Sequence, residues 1–259
     1  MTAQVTEKPM KLSLMAAALA AGLTAASWQA GAVTLNIGTD GEFEPFEFED
    51  GNHNLIGLDM DLIRAMAEKG GYEINIKKVS NADMYKMVKE GTLDAGISAI
   101  SITPERKEQY LFSYPYYLSG LGVLVGPSAV NSVKTEQDLV GKVFCAQSDT
   151  TGEEYAKNEM KASKVLSYVD NEKPLNELAQ GKCDAMVQDF PILFYHMRTK
   201  APANQKLLRK HLSNDSYGIL INKDKPEVQK IINDSLRTVR TDGTFYKIYL
   251  KWFGRRNKS

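Results

Sequence analysis

Residues 94–117 read DAGISAISITPERKEQYLFSYPYY, and in this short stretch a strand signal is followed by a break and then by a helix start. The apolar run Ala95–Ile100 has the length of a buried strand. Thr103 followed by Pro104 is typical of a helix N-terminus, and Arg106 then falls in the first helical turn. That end of a helix already carries partial positive charge, so a cation there favours a bound anion beyond the carboxyl end of the strand. A solvated surface arginine is the alternative explanation.

Strand and helix signals alternate along the rest of the chain. Short apolar strands are predicted over residues 34–38 and 73–79, and helices around residues 58–66 and 84–90. A helix with one apolar stripe is predicted near the C-terminus, beginning at Pro226 and ending at Asp242-Gly243. This alternation predicts an α/β fold, with mostly parallel sheets and crossover helices.

One segment of this pattern occurs twice. Residues 87–98 (MVKEGTLDAGIS) align with residues 177–188 (ELAQGKCDAMVQ), each a helix end followed by Gly, two spacers, Asp-Ala and an apolar strand. The repeat predicts two similarly built lobes, the first from residues 33–119 and 217–259 and the second from residues 120–216. Two extended crossings between the lobes would form a hinge.

The N-terminal residues have the order of a secretory signal peptide. Lys8 and Lys11 precede an apolar run over residues 12–26, and the small residues Ala30-Gly31-Ala32 follow. We therefore expect residues 1–32 to be removed on export, which would leave a periplasmic protein with no inserted membrane segment. The 32 basic and 32 acidic residues balance to a net charge of zero, which argues against nucleic acid as a partner.

Two cysteines, Cys145 and Cys183, leave the question of a disulfide open. An exported protein can form one. If Gln147 lies level with Gln188 on neighbouring parallel strands, the cysteines are offset by three residues, or roughly 10 Å of strand rise. A disulfide requires Cα atoms within about 7 Å, so we expect free thiols. We expect no metal and no cofactor, because no His/Cys/Asp cluster has ligand spacing.

Three further polar segments follow predicted strands. Residues 147–154 (QSDTTGEE) offer hydroxyl and N–H groups suited to a carboxylate, and Thr151 and Glu154 have capping-box spacing. Asp189 could pair with an ammonium group or cap the next helix. Asp40 and Phe43 would face the same cleft, where an aromatic ring can cover a ligand. Together with Arg106, these groups complement a free α-amino acid, and no nucleophile–base pair or phosphate loop competes.

The chain resembles the periplasmic solute-binding proteins of the polar amino-acid family, which serve ABC importers. The resemblance runs from about Thr34 to Gly254. The segments that carry it are GTDGEFEPFEF, IGLDMDL, DAGISAISITPERKEQYLFSYPYY, QSDTTGEEYA, DAMVQD and DGTFYKIYLKWFG.

The resemblance implies a two-lobe periplasmic binding protein fold of type II. Its function would be to capture a free polar L-amino acid by hinge closure and deliver it to a membrane permease. The protein would act as a monomer and would not be an enzyme. The implied contacts are with the ligand's α-carboxylate, its α-ammonium and its side chain. The residues that would bind the ligand are Asp40, Phe43, Ser98, Ala99, Ser101, Arg106, Gln147, Thr150, Thr151, Gln188 and Asp189.

Within this set, Arg106 would bind the α-carboxylate with help from Ser101 and Thr151. Asp189 would take the α-ammonium, assisted by a backbone carbonyl of Ser98 or Ala99. Phe43 would cover the ligand's side chain and Asp40 would read its polar end.

The chain departs from the family pattern at Asn81, where family members usually carry an aromatic residue that forms a second wall over the ligand. Tyr85, on the predicted helix that follows, is a candidate to compensate for it. Two other functions remain open on this fold. One is that of a cyclohexadienyl-dehydratase-like enzyme, which would carry an acidic residue at the position of Ile192. The other is that of a ligand-sensing module for a receptor.

Overall fold

Two five-stranded sheets form the framework of the protein in its computed structural model, which describes residues 1–2, 33–200, 203–208 and 211–254. The predicted signal peptide, residues 1–32, lies outside the described residues apart from its first two. The strands are β1 Thr34–Thr39, β2 Glu42–Phe43, β3 Glu47–Glu49, β4 Leu55–Ile56, β5 Glu73–Lys78, β6 Ala95–Gly96, β7 Leu111–Phe112, β8 Tyr117–Leu118, β9 Leu121–Val125, β10 Val143–Gln147, β11 Lys164–Tyr168, β12 Ala185–Asp189, β13 Lys206–Leu207, β14 Ser216–Tyr217 and β15 Leu220–Ile221. The α-helices are α1 Leu58–Gly70, α2 Asn81–Glu90, α3 Pro104–Gln109, α4 Thr151–Asn158, α5 Glu172–Ala179, α6 Phe190–Thr199, α7 Pro226–Thr241 and α8 Thr244–Phe253, with a 3-10 turn at Glu136–Leu139.

The two sheets are built alike. The first has the order β5-β1-β6-β15-β7 and the second the order β11-β10-β12-β9-β13. In each sheet three parallel strands are followed by an antiparallel one, β15 in the first lobe and β9 in the second. The α/β fold predicted from the sequence, with one such sheet in each of two lobes, is therefore confirmed.

The internal repeat occupies equivalent places in the two lobes. It covers the end of α2 with β6 in one lobe and the end of α5 with β12 in the other, and Gly91 and Gly181 adopt φ of +79° and +72° after the helices. The Asp of each Asp-Ala pair accepts a hydrogen bond from the backbone of the neighbouring parallel strand, β1 in the first lobe and β10 in the second. Asp94 binds Asn36 N at 2.8 Å and Asp184 binds Val143 N at 3.0 Å. The repeated Asp thus fixes the start of the central strand in each lobe.

The strand predicted over Ala95–Ile100 ends after Gly96, so its predicted length was wrong. The chain turns at Ala99, which has a φ of +47°, and Ala99 N donates to the buried Asp59 carboxylate at 2.8 Å. An apolar run does not distinguish a buried strand from a buried turn. The turn brings residues 98–101 to the space between the two sheets.

The segments predicted to connect the lobes pair with each other. β8 and β14 form a two-stranded antiparallel sheet, with Tyr117 opposite Tyr217 and Leu118 opposite Ser216. The proposed lobe boundaries at 119/120 and 216/217 fall at these strands, and the domain limits themselves stay a prediction.

Each lobe has its own apolar core, and α7 closes that of the first lobe. Its buried stripe, spaced by three or four residues as the sequence pattern predicts, packs in the first-lobe core, where α7 contacts α1. The buried residues of the stripe are Val228, Ile232, Leu236 and Val239. The second core forms around β9, β10 and β12.

Cys145 and Cys183 form a disulfide with Cα atoms 5.8 Å apart, so the expectation of free thiols was wrong. The predicted register was right, because Cys145 lies opposite Met186 and Gln147 is therefore level with Gln188. The error lay in treating Cys183 as extended. β12 begins only at Ala185, and the turn before it brings Cys183 back beside Cys145.

No helix in the described part of the chain has both the length and the apolar character needed to cross a membrane.

Candidate ligand-binding cleft

A cavity lies where the carboxyl ends of the two sheets meet. It brings together eight of the eleven predicted site residues, which lie at or beyond the carboxyl ends of β1, β6, β10 and β12. These residues are Phe43, Ser98, Ala99, Ser101, Arg106, Thr150, Thr151 and Asp189. Their lining of one cavity is a geometric finding, whereas their roles in binding stay a prediction.

Arg106 reaches the cavity from the first turn of α3. The helix begins at Pro104 as predicted, with the Thr103 hydroxyl accepting from Arg106 N at 3.2 Å. That backbone N–H is therefore already used. The guanidinium donates to Ser101 O at 2.9 Å, and across the cleft to Asp149 O at 3.3 Å. Its carbon lies 5.1 Å from the centre of the Tyr85 ring, in a cation–π arrangement. The half-buried cation is thus held in a fixed orientation toward the cavity.

Asp189 supplies the negative charge on the opposite lobe. It occupies the N-cap position of α6, yet its side chain makes no capping hydrogen bond to that helix. The Ser119 hydroxyl donates to it weakly, at 3.5 Å. Burial, together with the nearby charge of Asp215, raises the pKa of Asp189 to about 7. A cation placed next to Asp189 would favour the ionised form and reverse this rise.

The turn before α4 brings hydroxyl groups to the cavity, though not through the predicted capping box. Thr150, rather than Thr151, is the N-cap, and its hydroxyl accepts from Glu153 N at 3.2 Å. The same hydroxyl donates to Gln147 O at 2.9 Å. Asp149 has a φ of +61°, and its carbonyl accepts from Arg106.

Ser98 lies between the cavity and a set of buried carboxyl groups. Its hydroxyl donates to Glu47 Oε1 at 2.5 Å and accepts from Asp40 N at 3.1 Å. Glu47 is fully buried, and burial raises its pKa well above the usual range. Phe43 N also donates to Glu47, at 3.4 Å, which fixes the turn that places the Phe43 ring on the cavity wall.

The sequence of residues 35–255 matches the family model described as bacterial extracellular solute-binding proteins, family 3. The chain belongs to this family. It is 27% identical over 251 residues to the L-cystine-binding protein TcyJ of Escherichia coli K12, with 94% of each chain covered. The structure also resembles that of an ancestral arginine-binding protein bound to glutamine, with a TM-score of 0.80, 33% identity, and coverage of 87% of this chain and all of that one.

A second solved structure bears on the question of enzymatic activity. It is that of AncCDT-1, an ancestral amino acid-binding protein described as a precursor of cyclohexadienyl dehydratase. This solute-binding protein matches it with a TM-score of 0.77 and 31% identity over 85% of its own chain and 95% of the other. Both structural matches agree with the two-lobe fold that the sequence predicts.

Three predicted site residues of this solute-binding protein lie outside the cavity lining. The Gln147 amide donates to Asp40 Oδ2 at 2.8 Å and to Val169 O at 3.0 Å. Gln188 donates to Asn171 Oδ1 at 2.9 Å. The side chains of Asp40, Gln147 and Gln188 therefore form hydrogen bonds with other protein groups. Their positions at strand ends did not predict these partners.

Three residues that were absent from the predicted set line the cavity: Asn81, Tyr85 and Ile100. Asn81 donates across the cleft to Asp149 O at 3.1 Å. Tyr85 follows it by four residues on α2 and therefore lies on the same helix face. That spacing was the available signal, since residue 81 already stood out as a departure from the family pattern.

Among the described residues, no group of three or more His, Cys, Asp or Glu side chains is arranged to hold a metal ion.

Proposed function

We propose that the protein binds a free L-amino acid between its lobes and delivers it to an ABC-type amino-acid importer. The observation that carries the proposal is that Arg106 and Asp189, on different lobes, line one cavity. One cation and one carboxylate facing a shared space complement the two charged ends of an amino acid. Burying both ends is tolerable because each is paired and hydrogen-bonded.

Each end of the ligand has defined partners in this proposal. The α-carboxylate accepts from the guanidinium of Arg106, which retains further N–H donors beyond those used by the two backbone carbonyls. Hydroxyl and N–H groups of Thr151 and Ser101 add donors. The α-ammonium pairs with Asp189 and with backbone carbonyl groups at residues 98–99.

Closure of the lobes completes this cage. Hydrogen bonds already cross the cleft from Asn81 to Asp149 O, and from Asn171 N to Glu42 Oε2 at 2.7 Å. Lys200 and Glu44 form an ion pair across it at 3.6 Å. A ligand that gains contacts with both lobes only in the closed form shifts the equilibrium toward closure, and periplasmic binding proteins are known for such hinge closure.

The proposal extends to export, assembly and partner, and family membership supports export and an importer partner. The protein is exported to the periplasm, acts as a monomer and presents its closed surface to a membrane permease. Its relatives are binding proteins by name, which supports a function without catalysis. Ile192, at the position where an acidic residue would favour dehydration, is an apolar residue buried at 4% exposure in the core.

A thermal-shift screen of the twenty amino acids with ornithine and citrulline tests the proposal. A ligand at one hundred times its Kd should add about 2.7 kcal/mol of stability and raise the unfolding midpoint. Arg106→Ala should lose at least 100-fold in affinity by calorimetry, because the carboxylate is left without its cation. Arg237→Ala, which removes an exposed arginine paired with Asp234, is the matched control.

The proposal fails if no amino acid shifts the midpoint, or if Arg106→Ala binds as tightly as the unchanged protein. Turnover of arogenate or prephenate would favour the enzyme instead.

A further inference from the structure

In the proposed binding mode, the two charged side chains that face the cavity pair with the two charged ends of an amino acid. Among the described residues that line it, Arg106 is the cation and Asp189 the carboxylate. The remaining lining residues are uncharged, and several can form hydrogen bonds: Asn81, Tyr85, Ser98, Ser101, Thr150 and Thr151. The lining itself therefore offers no second carboxylate to a ligand with a cationic side chain.

The nearest candidate for such a carboxylate is Asp40. Asp40 does not line the cavity but lies directly behind its wall. Its backbone N–H donates to the lining residue Ser98, and it comes three residues before the lining residue Phe43. Its side chain is 4% exposed. Instead of facing the cavity, the carboxylate accepts from the Gln147 amide of the other lobe at 2.8 Å.

Gln147 is itself held in place. It lies at the end of β10, is 1% exposed, and its amide also donates to Val169 O at 3.0 Å. A guanidinium or ammonium group that took the place of this amide at Asp40 Oδ2 would cost Gln147 its hydrogen bond to Asp40. Such a displacement opposes the gain from a new ion pair.

The state of Asp40 agrees with this geometry. Burial raises its pKa to about 7, and the hydrogen bond from Gln147 opposes that rise only partly. A carboxyl group with a fixed cationic partner would be shifted the other way. Burial raises the pKa of Asp189 in the same way, so the two carboxyl groups differ in geometry: Asp189 lines the cavity, whereas Asp40 accepts from Gln147.

We infer that the cavity selects an amino acid with an uncharged, hydrogen-bonding side chain, and that Gln147 sets this preference by holding Asp40 away from the ligand. The inference rests on the proposed function and names the ligand class for the same site. Gln147 acts through Asp40 and is a positioning residue rather than a direct contact.

Calorimetry with L-glutamine, L-asparagine, L-serine, L-arginine and L-lysine tests this. The unchanged protein should bind the best neutral amino acid at least ten-fold more tightly than arginine or lysine. Gln147→Ala should free Asp40 and improve the affinity for arginine or lysine relative to the neutral ligand by ten-fold or more. The double variant Asp40→Asn with Gln147→Ala should lose that gain. Because the readout is a ratio of affinities, a general loss of stability would not produce it.

Gln229→Ala is the matched control, since it removes an amide that donates to a backbone carbonyl, Phe112 O at 2.7 Å, outside the cavity. It should leave the affinity ratio unchanged. Preference of the unchanged protein for arginine or lysine would overturn the inference while leaving the proposed function intact. An unchanged ratio in Gln147→Ala would do the same. Absence of binding to every amino acid would overturn the proposed function and this inference with it.

Discussion

The raised pKa of the Asp189 carboxyl group leads us to predict that the affinity for the ligand depends on pH. Burial raises its pKa to about 7 from an ordinary value of 3.8. An amino acid's ammonium group placed beside it would hold it ionised. Above pH 7 the carboxyl group has already lost its proton, so no proton has to be released when the ligand binds. Below pH 7 binding must release one proton, so the affinity falls about ten-fold for each further pH unit.

At pH 5, two units below the pKa, the loss is about 100-fold, or about 2.7 kcal/mol. The ligand's own charges do not change in this window, because its carboxylate titrates well below it and its ammonium above. Titration calorimetry at pH 5, 6, 7 and 8, in buffers with different ionisation enthalpies, measures both the affinity and the number of protons released. About one proton should be released at pH 5, and close to none at pH 8.

The variant Asp189→Asn tests whether the pH dependence comes from Asp189 or from the other buried carboxyl groups. The amide has nearly the same shape but neither charge nor proton, so the variant should bind weakly at every pH and lose most of the slope between pH 5 and 7. An affinity that is flat from pH 5 to 8 in the unchanged protein, with no proton release, would refute the reasoning. So would an Asp189→Asn variant that keeps the original slope.

Two further predictions concern stability. The disulfide between Cys145 and Cys183 closes a loop with a sequence separation of 38, so the double alanine variant should lose about 4 kcal/mol in urea unfolding on the chain-entropy estimate; a loss below 1 kcal/mol would contradict this. Burial raises the pKa of Asp59 to about 7, against the hydrogen bonds that it accepts from Ala99 N and the Tyr116 hydroxyl. The folded form thus keeps a proton that the unfolded form loses near pH 4, and stability falls as pH rises to 7. Asp59→Asn should therefore reduce the fall between pH 5 and 7 by about 2–3 kcal/mol in urea unfolding, and an unchanged fall would count against it.

The parts of the fold that the sequence predicted are the elements with a local pattern of apolar residues and helix-ending glycines. Helix ends at Gly91 and Gly181 are marked by the residue that most easily adopts a positive φ, and the strands between helices are short apolar runs. Local signals failed where the backbone leaves regular structure. Residues 97–100 are as apolar as a strand, but the turn at Ala99 is fixed by Asp59, forty positions earlier in the chain.

The disulfide shows a different limit of sequence reasoning. Opposing Gln147 to Gln188 gave the right strand register, and the calculated separation was correct for two extended strands. The path of the chain just before Ala185 is not extended, and a turn of two residues removes several ångströms. A distance estimated from register is therefore safe only within the paired residues.

The candidate site was predictable as a set of strand ends and less so as a set of contacts. Parallel strands bring their carboxyl ends to one edge, which places Arg106, Thr150 and Asp189 together. Whether a side chain at that edge faces the cavity depends on what lies across the cleft. Asp40 and Gln147 were each predicted to face a ligand and instead meet each other, a pairing that neither local segment contains.

The two charged groups of the cavity differ in how well the protein itself satisfies them. Arg106 already donates to the carbonyls of Ser101 and Asp149, so a ligand carboxylate uses the donors that remain on a cation held in place. Asp189 lies beside the hydroxyl groups of Ser119, at 3.5 Å, and Tyr217, and it has no ion-pair partner among the described residues. An ammonium group therefore removes a larger electrostatic penalty at Asp189 than a carboxylate does at Arg106. In the proposed binding mode, Arg106 of the first lobe holds the ligand's carboxylate, so the ligand would gain the stronger stabilisation at Asp189 of the second lobe only when the lobes close.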